Sequence, residues 1–289
     1  MKKNLHIFEY NFFKEDNFIR RFILRKLLIK NLGDNKKKYP NKMAIINYDH
    51  VSNDIIIDGG YEHKYMVIIA KYLESKKIHK NSLFIDIGAN LGNHTLFFSK
   101  YFKNTIAFEP HKKIFKLLKF NTEENPNIKI FNFGLSDKNK KALLYTDESN
   151  FGGSSQISRK KTKAHLASFK KFDNLKIKKG ADLIKIDAEF HEENILKGAS
   201  NYLRNNSPII LFESDGGSIK IQNGETPVIK ILKKFNYKKF YSIENFKKKP
   251  SIIDKIIYLF KYSIFMRKKY IVPLVLEEGK HYHIIIAEK

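Results

Sequence analysis

The sequence predicts an α/β protein built on a mostly parallel sheet with helices on both faces. Two observations carry this. From residue 82 onward, short apolar runs alternate with segments of helical period, and strand–helix–strand repetition of this kind builds a parallel sheet covered on both sides. The first of these runs, LFIDIG, passes into a loop holding Gly88, Asn90 and Gly92, the place where Rossmann-like sheets gather ligands at the carboxyl ends of their strands. With 289 residues, 42% hydrophobic and 13% aromatic, the chain has ample material for a buried core.

Along the chain, FIRRFILRKLLIK (18–30) reads as a basic amphipathic helix and GDNKKKYPNK as a linker, so residues 1–40 form an extension ahead of a main domain over 41–289. MAIINY and DIIIDGG read as a hairpin of isoleucine-rich strands, and YMVIIAKYLES as a helix. The alternation then runs LFIDIG, helix 93–102, TIAFE, helix 110–121, IKIFNFG, and later DLIKID, helix 191–204, PIILFE, helix 225–235 and YKKFYSI. ALLYTD and GKHYHIIIAEK read as additional strands, the latter as the last. Between YKKFYSI and that last strand a second basic amphipathic segment, 251–270, forms a helical insertion near 246–273 that Pro273 breaks. There is no internal repeat.

The formal net charge of +25 invites nucleic acid, an anionic membrane or an acidic substrate. Much of the excess is Lys, accompanied by abundant Asn and Ile and by no Trp or Cys, as an AT-rich coding sequence would give, so charge alone carries little weight. Without cysteine there is no disulfide, no thiolate metal site and no cysteine nucleophile. Glu9, Lys14, Glu15 and Asp16 interrupt the first apolar run before signal-peptide length, and no run reaches the roughly 18 apolar residues of a membrane span. The expectation is a cytoplasmic protein, with peripheral contact to anionic lipid and self-association open through its two basic amphipathic segments.

Three constellations carry chemistry. In D-I-G-A-N-L-G, Gly88 and Gly92 are four apart with Asn90 between, which departs from the G-x-G-x-x-G of dinucleotide loops. The alternatives are a loop whose glycines let backbone approach a ligand and a purely structural turn. TIAFEP ends in Glu109, some twenty residues on, where nucleotide sites place a carboxylate against two ribose hydroxyls, and Pro110 starts the next helix. Together these point to an adenosine-containing cofactor. DLIKIDAEFHEENILKGA delivers Lys185 and Asp187 to a strand end, followed by Glu189, His191, Glu192 and Glu193. Such carboxylates serve as base, metal ligand or substrate contact, or cap the next helix.

FIDIGANLGNHTLFFSK, AFEP, NFGLSD, GGSS, DLIKIDAEF-HE with LKGA, and IILFE, in that order over roughly residues 60–245, resemble the FkbM family of S-adenosylmethionine (SAM)-dependent methyltransferases. The resemblance implies a class I, Rossmann-like fold with a seven-stranded sheet whose last strand inserts antiparallel. It also implies O-methylation of sugar hydroxyls in surface polysaccharides or nucleotide sugars. Carried over, Asp86, Gly88, Asn90, Gly92 and Asn93 surround the methionine and ribose of SAM, Glu109 and Pro110 flank the ribose, and Leu135, Ser136 and Asp137 lie near the adenine. His94 faces the pocket entrance, and Tyr61 and Glu62 contribute to a lid. Asp187 is the first candidate for the base that activates the acceptor hydroxyl, with Glu189, His191 and His94 as alternates. Asp187 with Glu213 could instead hold a divalent cation.

Two departures stand out. Phe190 occupies a position where the family usually has Gly, so the backbone there is expected to take another course, and KAHLASFKKFD lacks the acid of the family's T-L-D stretch. Two rivals remain. An RNA or DNA methyltransferase suits the charge, but no N-P-P-Y-like loop follows a strand, and NSP at 206–208 precedes one. A non-catalytic membrane-surface protein on a methyltransferase core suits the amphipathic segments.

Overall fold

The computed structural model describes residues 22–23, 26–27, 43–47, 49–78, 82–147, 150–155, 162–177, 179–215, 225–245 and 269–289. Most of the 1–40 extension and residues 246–268 of the basic insertion lie outside them. Within the extension, residues 22–23 and 26–27 are helical, and Phe22, Ile23 and Leu27 are exposed.

The first element differs from expectation. His50–Asp58, the isoleucine-rich stretch read as part of a hairpin, is a helix, α1. Its caps decide the matter: the Asp49 side chain accepts from the Ser52 N–H, and Gly59 closes the other end in the left-handed conformation. Helix α2 follows over His63–Ser75, then strand β1 over Leu83–Ile87.

The repeat then proceeds as α3 (Asn93–Phe98), β2 (Asn104–Phe108), α4 (Lys112–Thr122), β3 (Ile128–Phe131) and β4 (Gly134–Ser136). Next come β5 (Lys140–Asp147), β6 (Asn150–Ser155), β7 (Thr162–Lys171), a 3-10 turn at Phe172–Leu175 and β8 (Leu183–Ile186). The chain closes with α5 (Glu192–Gly198), α6 (Ser200–Asn205), β9 (Ile209–Asp215), α7 (Pro227–Lys234), β10 (Lys239–Asn245), β11 (Lys269–Pro273) and β12 (His281–Glu288). The helix expected over 191–204 is therefore two. Gly198 ends the first, where any Cβ would lie 1.9 Å from the Ser136 carbonyl oxygen of β4. The end of the expected helical insertion is strand β11, with Pro273 at its terminus on the sheet edge, where a missing N–H is tolerated.

The main sheet has eight strands in the order β3-β2-β1-β8-β9-β12-β10-β11, one more than expected because β11 adds an edge. β3, β2, β1, β8 and β9 pair in parallel, and the last strand, β12, inserts antiparallel between β9 and β10. Alternation along the strands gives two cores. Leu83, Ile85, Ile87, Ile184 and Ile186 pack against Ile195, Leu196, Leu203 and Leu232 of α5, α6 and α7. Phe84, Leu183, Leu211 and Ile286 pack against Met66, Ile69 and Leu73 of α2 and Phe98 of α3. A second sheet, β4-β7-β5-β6, lies between β3 and β8 in sequence and brings Leu144 and Phe169 to the carboxyl edge of the main sheet.

Candidate active site

A cleft opens at the carboxyl ends of β1, β2 and β8, lined by Gly88, Asn90, Glu109, Pro110, Leu135, Asp187, Glu189 and His191, with Ile114, Leu144 and Phe169 forming an apolar wall. The loop after β1 turns through left-handed residues at Gly88 (φ 80°), Asn90 (φ 50°) and Gly92 (φ 92°). A Cβ on Gly88 would lie 1.8 Å from the Asp187 carbonyl oxygen, and one on Gly92 would lie 2.8 Å from Leu118 Cδ1. A Cβ at either position would thus meet the protein's own atoms, backbone at Gly88 and a side-chain end at Gly92. Asn90 takes its conformation with its N–H donated to Glu109 Oε2 at 2.9 Å, while the His111 N–H donates to Glu109 Oε1 at 2.8 Å. Burial pushes the Glu109 carboxyl up to about 7 despite these two donors.

Of the ten residues expected around the cofactor, Gly88, Asn90, Glu109, Pro110 and Leu135 line the cleft, and Asp137 is not part of its lining. Asp86, Gly92, Asn93 and Ser136 stand behind it. Strand alternation turns Asp86 to the α2–α3 side, where Oδ2 accepts from Thr95 Oγ1 at 2.6 Å and Oδ1 lies 3.6 Å from Lys185 Nζ. Asn93 uses its amide as a clamp, accepting from the Tyr61 N–H and donating to the Tyr61 carbonyl. Ser136 Oγ lies 3.0 Å from His191 Nε2 and donates to Asp137 Oδ1.

The catalytic candidates separate similarly. His191 has both ring nitrogens engaged, Nε2 with Ser136 and Nδ1 with Asn194 Nδ2 at 3.1 Å, and burial pulls its pKa down to about 4. It is a neutral wall of the cleft. His94 does not face the entrance: it is buried, with Nε2 3.3 Å from Glu62 Oε2 and its ring edge-on to Tyr61. Glu192 accepts from the Ala188 N–H and so closes the turn after β8, while Glu193 pairs with Lys197 at the surface. Glu189 (φ 46°) and Phe190 (φ 72°) are both left-handed. Phe190 therefore keeps the backbone course a glycine would favour, against the expectation of a different one, and bears the strain of a side chain there.

Asp187 lines the cofactor cleft and also a second, smaller cavity with Glu62, Lys185, Glu213 and His283. Lys185 Nζ donates to Asp187 Oδ2 at 3.0 Å. Burial alone would pull this ammonium down, but Asp187 and Asp86 reverse the effect and hold it above its ordinary range. The cation beside Asp187 in this structure is the Lys185 ammonium, and no group of three or more metal-ligating side chains occurs among the described residues. Glu213 is raised by burial and by the charges of Asp187, Glu189 and Glu62, and its Oε1 lies 3.3 Å from His281 Nε2.

Sequence reasoning missed His281 and His283. Their spacing of two in KHYHIII places them on one face of a strand, but the partners Glu62 and Glu213 are far away in sequence.

A parallel sheet with an antiparallel last strand, a left-handed loop after β1 and a buried acid after β2 define a class I SAM-dependent methyltransferase. Residues 86–239, more than half the chain, match the methyltransferase FkbM domain, and the chain belongs to that family. Among curated proteins none matches it. Similar solved structures include the FkbM methyltransferase of Methylobacillus flagellatus KT, at 13% identity and TM-score 0.42, which covers 91% of this chain and 60% of its own. Precorrin-6y C5,15-methyltransferase of Geobacter metallireducens GS-15 is 12% identical at TM-score 0.40 and covers 76% of this chain and 87% of its own. An rRNA methylase of Streptococcus thermophilus is 8% identical at TM-score 0.38, covering 78% and 95%.

The cleft fits SAM. Its apolar wall of Ile114, Leu135, Leu144 and Phe169 suits a flat adenine, and Glu109 presents a buried carboxylate of the kind that receives ribose hydroxyls. Among the described residues no helix is long and apolar enough to cross a membrane.

Proposed function

We propose that this methyltransferase O-methylates a hydroxyl of a sugar or glycan, either a surface polysaccharide or a nucleotide sugar. The observation that carries the reading is Asp187. It forms the shared wall between the cofactor cleft and a cavity lined by carboxylates, a lysine and a histidine, groups that hydrogen-bond hydroxyls. SAM, when bound, supplies an electrophilic methyl group. The protein's part is to hold the acceptor oxygen in line with it and to take away the hydroxyl proton. With Oδ2 tied to Lys185, Asp187 is fixed in position to hydrogen-bond an acceptor hydroxyl beside the one that reacts. Lys185 is itself anchored from the β1 side by Asp86, its neighbour in register. Gly88, Asn90, Glu109, Pro110 and Leu135 are the residues we assign to the cofactor. Peripheral contact with anionic lipid through the basic 18–30 segment accords with assembly of surface glycans.

The test is to incubate the protein with SAM and a panel of UDP-hexoses, methyl glycosides and extracted surface polysaccharide, and to read product mass. One added methyl on a sugar is expected, abolished in Asp187→Asn while S-adenosylhomocysteine (SAH) binding persists. Methylation of RNA but of no sugar would overturn the reading, and an Asp187→Asn variant with full turnover would remove Asp187 from it.

A further inference from the structure

We propose that His283 is the catalytic base that takes the acceptor's proton, with Glu62 as the residue that orients its ring. The inference rests on the hydroxyl-acceptor reading above and adds the proton's destination. Two locally costly pieces of backbone converge on one contact. The first is a bulge in β12: Tyr282 pairs with Ser214 and Ile285 with Phe212, leaving His283 and Ile284 opposite Glu213 alone. Bulges re-aim side chains next to active sites. Here Ile284 packs in the α2-side core with Ile286, while Tyr282 and Ile285 pack in the opposite one, so the extra residue turns His283 and Ile284 to the same side. The second is Glu62, a non-glycine residue held left-handed (φ 55°) at the start of α2, its neighbour Tyr61 clamped at both N–H and C=O by Asn93.

Where they meet, Glu62 Oε1 lies 3.2 Å from His283 Nδ1. A buried carboxylate on one ring nitrogen fixes the tautomer and leaves the other as proton acceptor, the logic of a His–carboxylate dyad. His283 lines the same cavity as Asp187 and is about half exposed, so it is open to an acceptor, whereas His94 on the other Glu62 oxygen is buried. Burial pushes Glu62 up, but the two imidazoles of His283 and His94 beside its oxygens outweigh it and hold the carboxyl at about 2, so the orienting charge persists at neutral pH. The charged and titratable groups around His283 are Glu62 and Tyr65 on the α2 side, His281 on its own strand, Glu213 on β9, and Lys185 and Asp187 at the end of β8.

In the step, the acceptor O–H bond breaks and its proton passes to His283 Nε2. The oxygen forms its new bond to the methyl carbon, the electron pair of the broken C–S bond remains on sulfur, and the imidazolium formed is balanced by Glu62.

The experiment has two arms on the SAH-binding protein. In the first, NMR of ring-nitrogen-labelled histidine reads the tautomer of the neutral His283 ring with SAH bound; the Nδ1–H form is expected to dominate, and Glu62→Gln to loosen that preference. In the second, kcat/KM against pH is measured with whichever sugar the wild type methylates. His283→Gln and His283→Asn are expected to lose about 10²- to 10⁴-fold and the acid limb of the profile, with SAH affinity by calorimetry unchanged. A merely structural role would lower rate without removing the limb. Retention of rate and limb in His283→Gln overturns the proposal, as does a His283 tautomer indifferent to Glu62→Gln. If no sugar is methylated, the acceptor reading falls, and the tautomer measurement, which needs no acceptor, still decides whether Glu62 governs His283.

Discussion

Replacing Lys185 by Met should be among the most destabilising single changes in the sheet. Lys185 is 7% exposed and stands between Asp86, which is fully buried, and Asp187, 3.6 and 3.0 Å from the respective carboxylate oxygens. Removing the ammonium leaves the Asp86 charge with Thr95 as its remaining close donor, 2.6 Å away. Breaking one side of a buried pair typically costs about 3–5 kcal/mol, because the remaining charge loses its counterion without regaining water. At roughly 2–4 °C per kcal/mol for a domain of this size, Tm should fall by roughly 10 °C. Urea denaturation of Lys185→Met, Asp86→Asn and the double variant forms a cycle, and the double variant should recover much of the loss because the stranded charge is gone. A single-variant cost below about 1 kcal/mol, or strictly additive effects, would refute the view that this lysine is the internal counterion of the site.

Glu109, raised to about 7 by burial, should make SAH affinity rise between pH 6 and 8 as the carboxylate we assign to the ribose forms; calorimetry across that range checks it, and Glu109→Gln should flatten the dependence. Because its folded pKa lies above the ordinary 4.5, its ionisation weakens the fold as pH climbs from 4.5 towards 7, so Glu109→Gln should also lose that slope in denaturation midpoints. The opposite sign holds for His111 and His191, both lowered to about 4 mainly by burial: the unfolded chain takes up protons below 6.5 that the fold refuses. Stability should therefore drop as pH falls from 6.5 to 4, and less so in the His111→Asn/His191→Gln double variant. Phe190→Gly should stabilise by about 1 kcal/mol, since a left-handed residue with a side chain costs roughly 1–2 kcal/mol and glycine's greater unfolded-state freedom returns part of it; an unmoved or lower urea midpoint would show that the Phe190 ring contributes more than its backbone costs.

The alternation of apolar runs made the parallel sheet legible, and the spacing from Asp86 to Glu109 placed the cofactor end, because both signals are local to a βα unit. The isoleucine run at 55–57 misled, since propensity spoke for strand while the caps Asp49 and Gly59 decided for helix. Which loop residues face the cleft was only half legible. The period of two puts Asp86 on the face away from the apolar wall, yet the clamp of Asn93 on Tyr61 and the chain from His191 through Ser136 to Asp137 join residues whose relation no spacing reveals. The pair Glu62–His283 was out of reach for the same reason, its members 221 positions apart and one of them aimed by a bulge that no alternation pattern announces.

The contact between Gly88 and the Asp187 carbonyl oxygen joins the two halves of the site at a single point of backbone. A displacement of the β8 end is passed directly to the loop after β1, so the residue proposed to face the acceptor and the loop assigned to the cofactor cannot drift independently. Variation in acceptor choice is consequently confined to positions that do not press on this joint. Glu213 and His281, on β9 and β12, are such positions, and under the proposed O-methylation libraries at these two residues should change which hydroxyl is methylated while leaving SAH affinity constant.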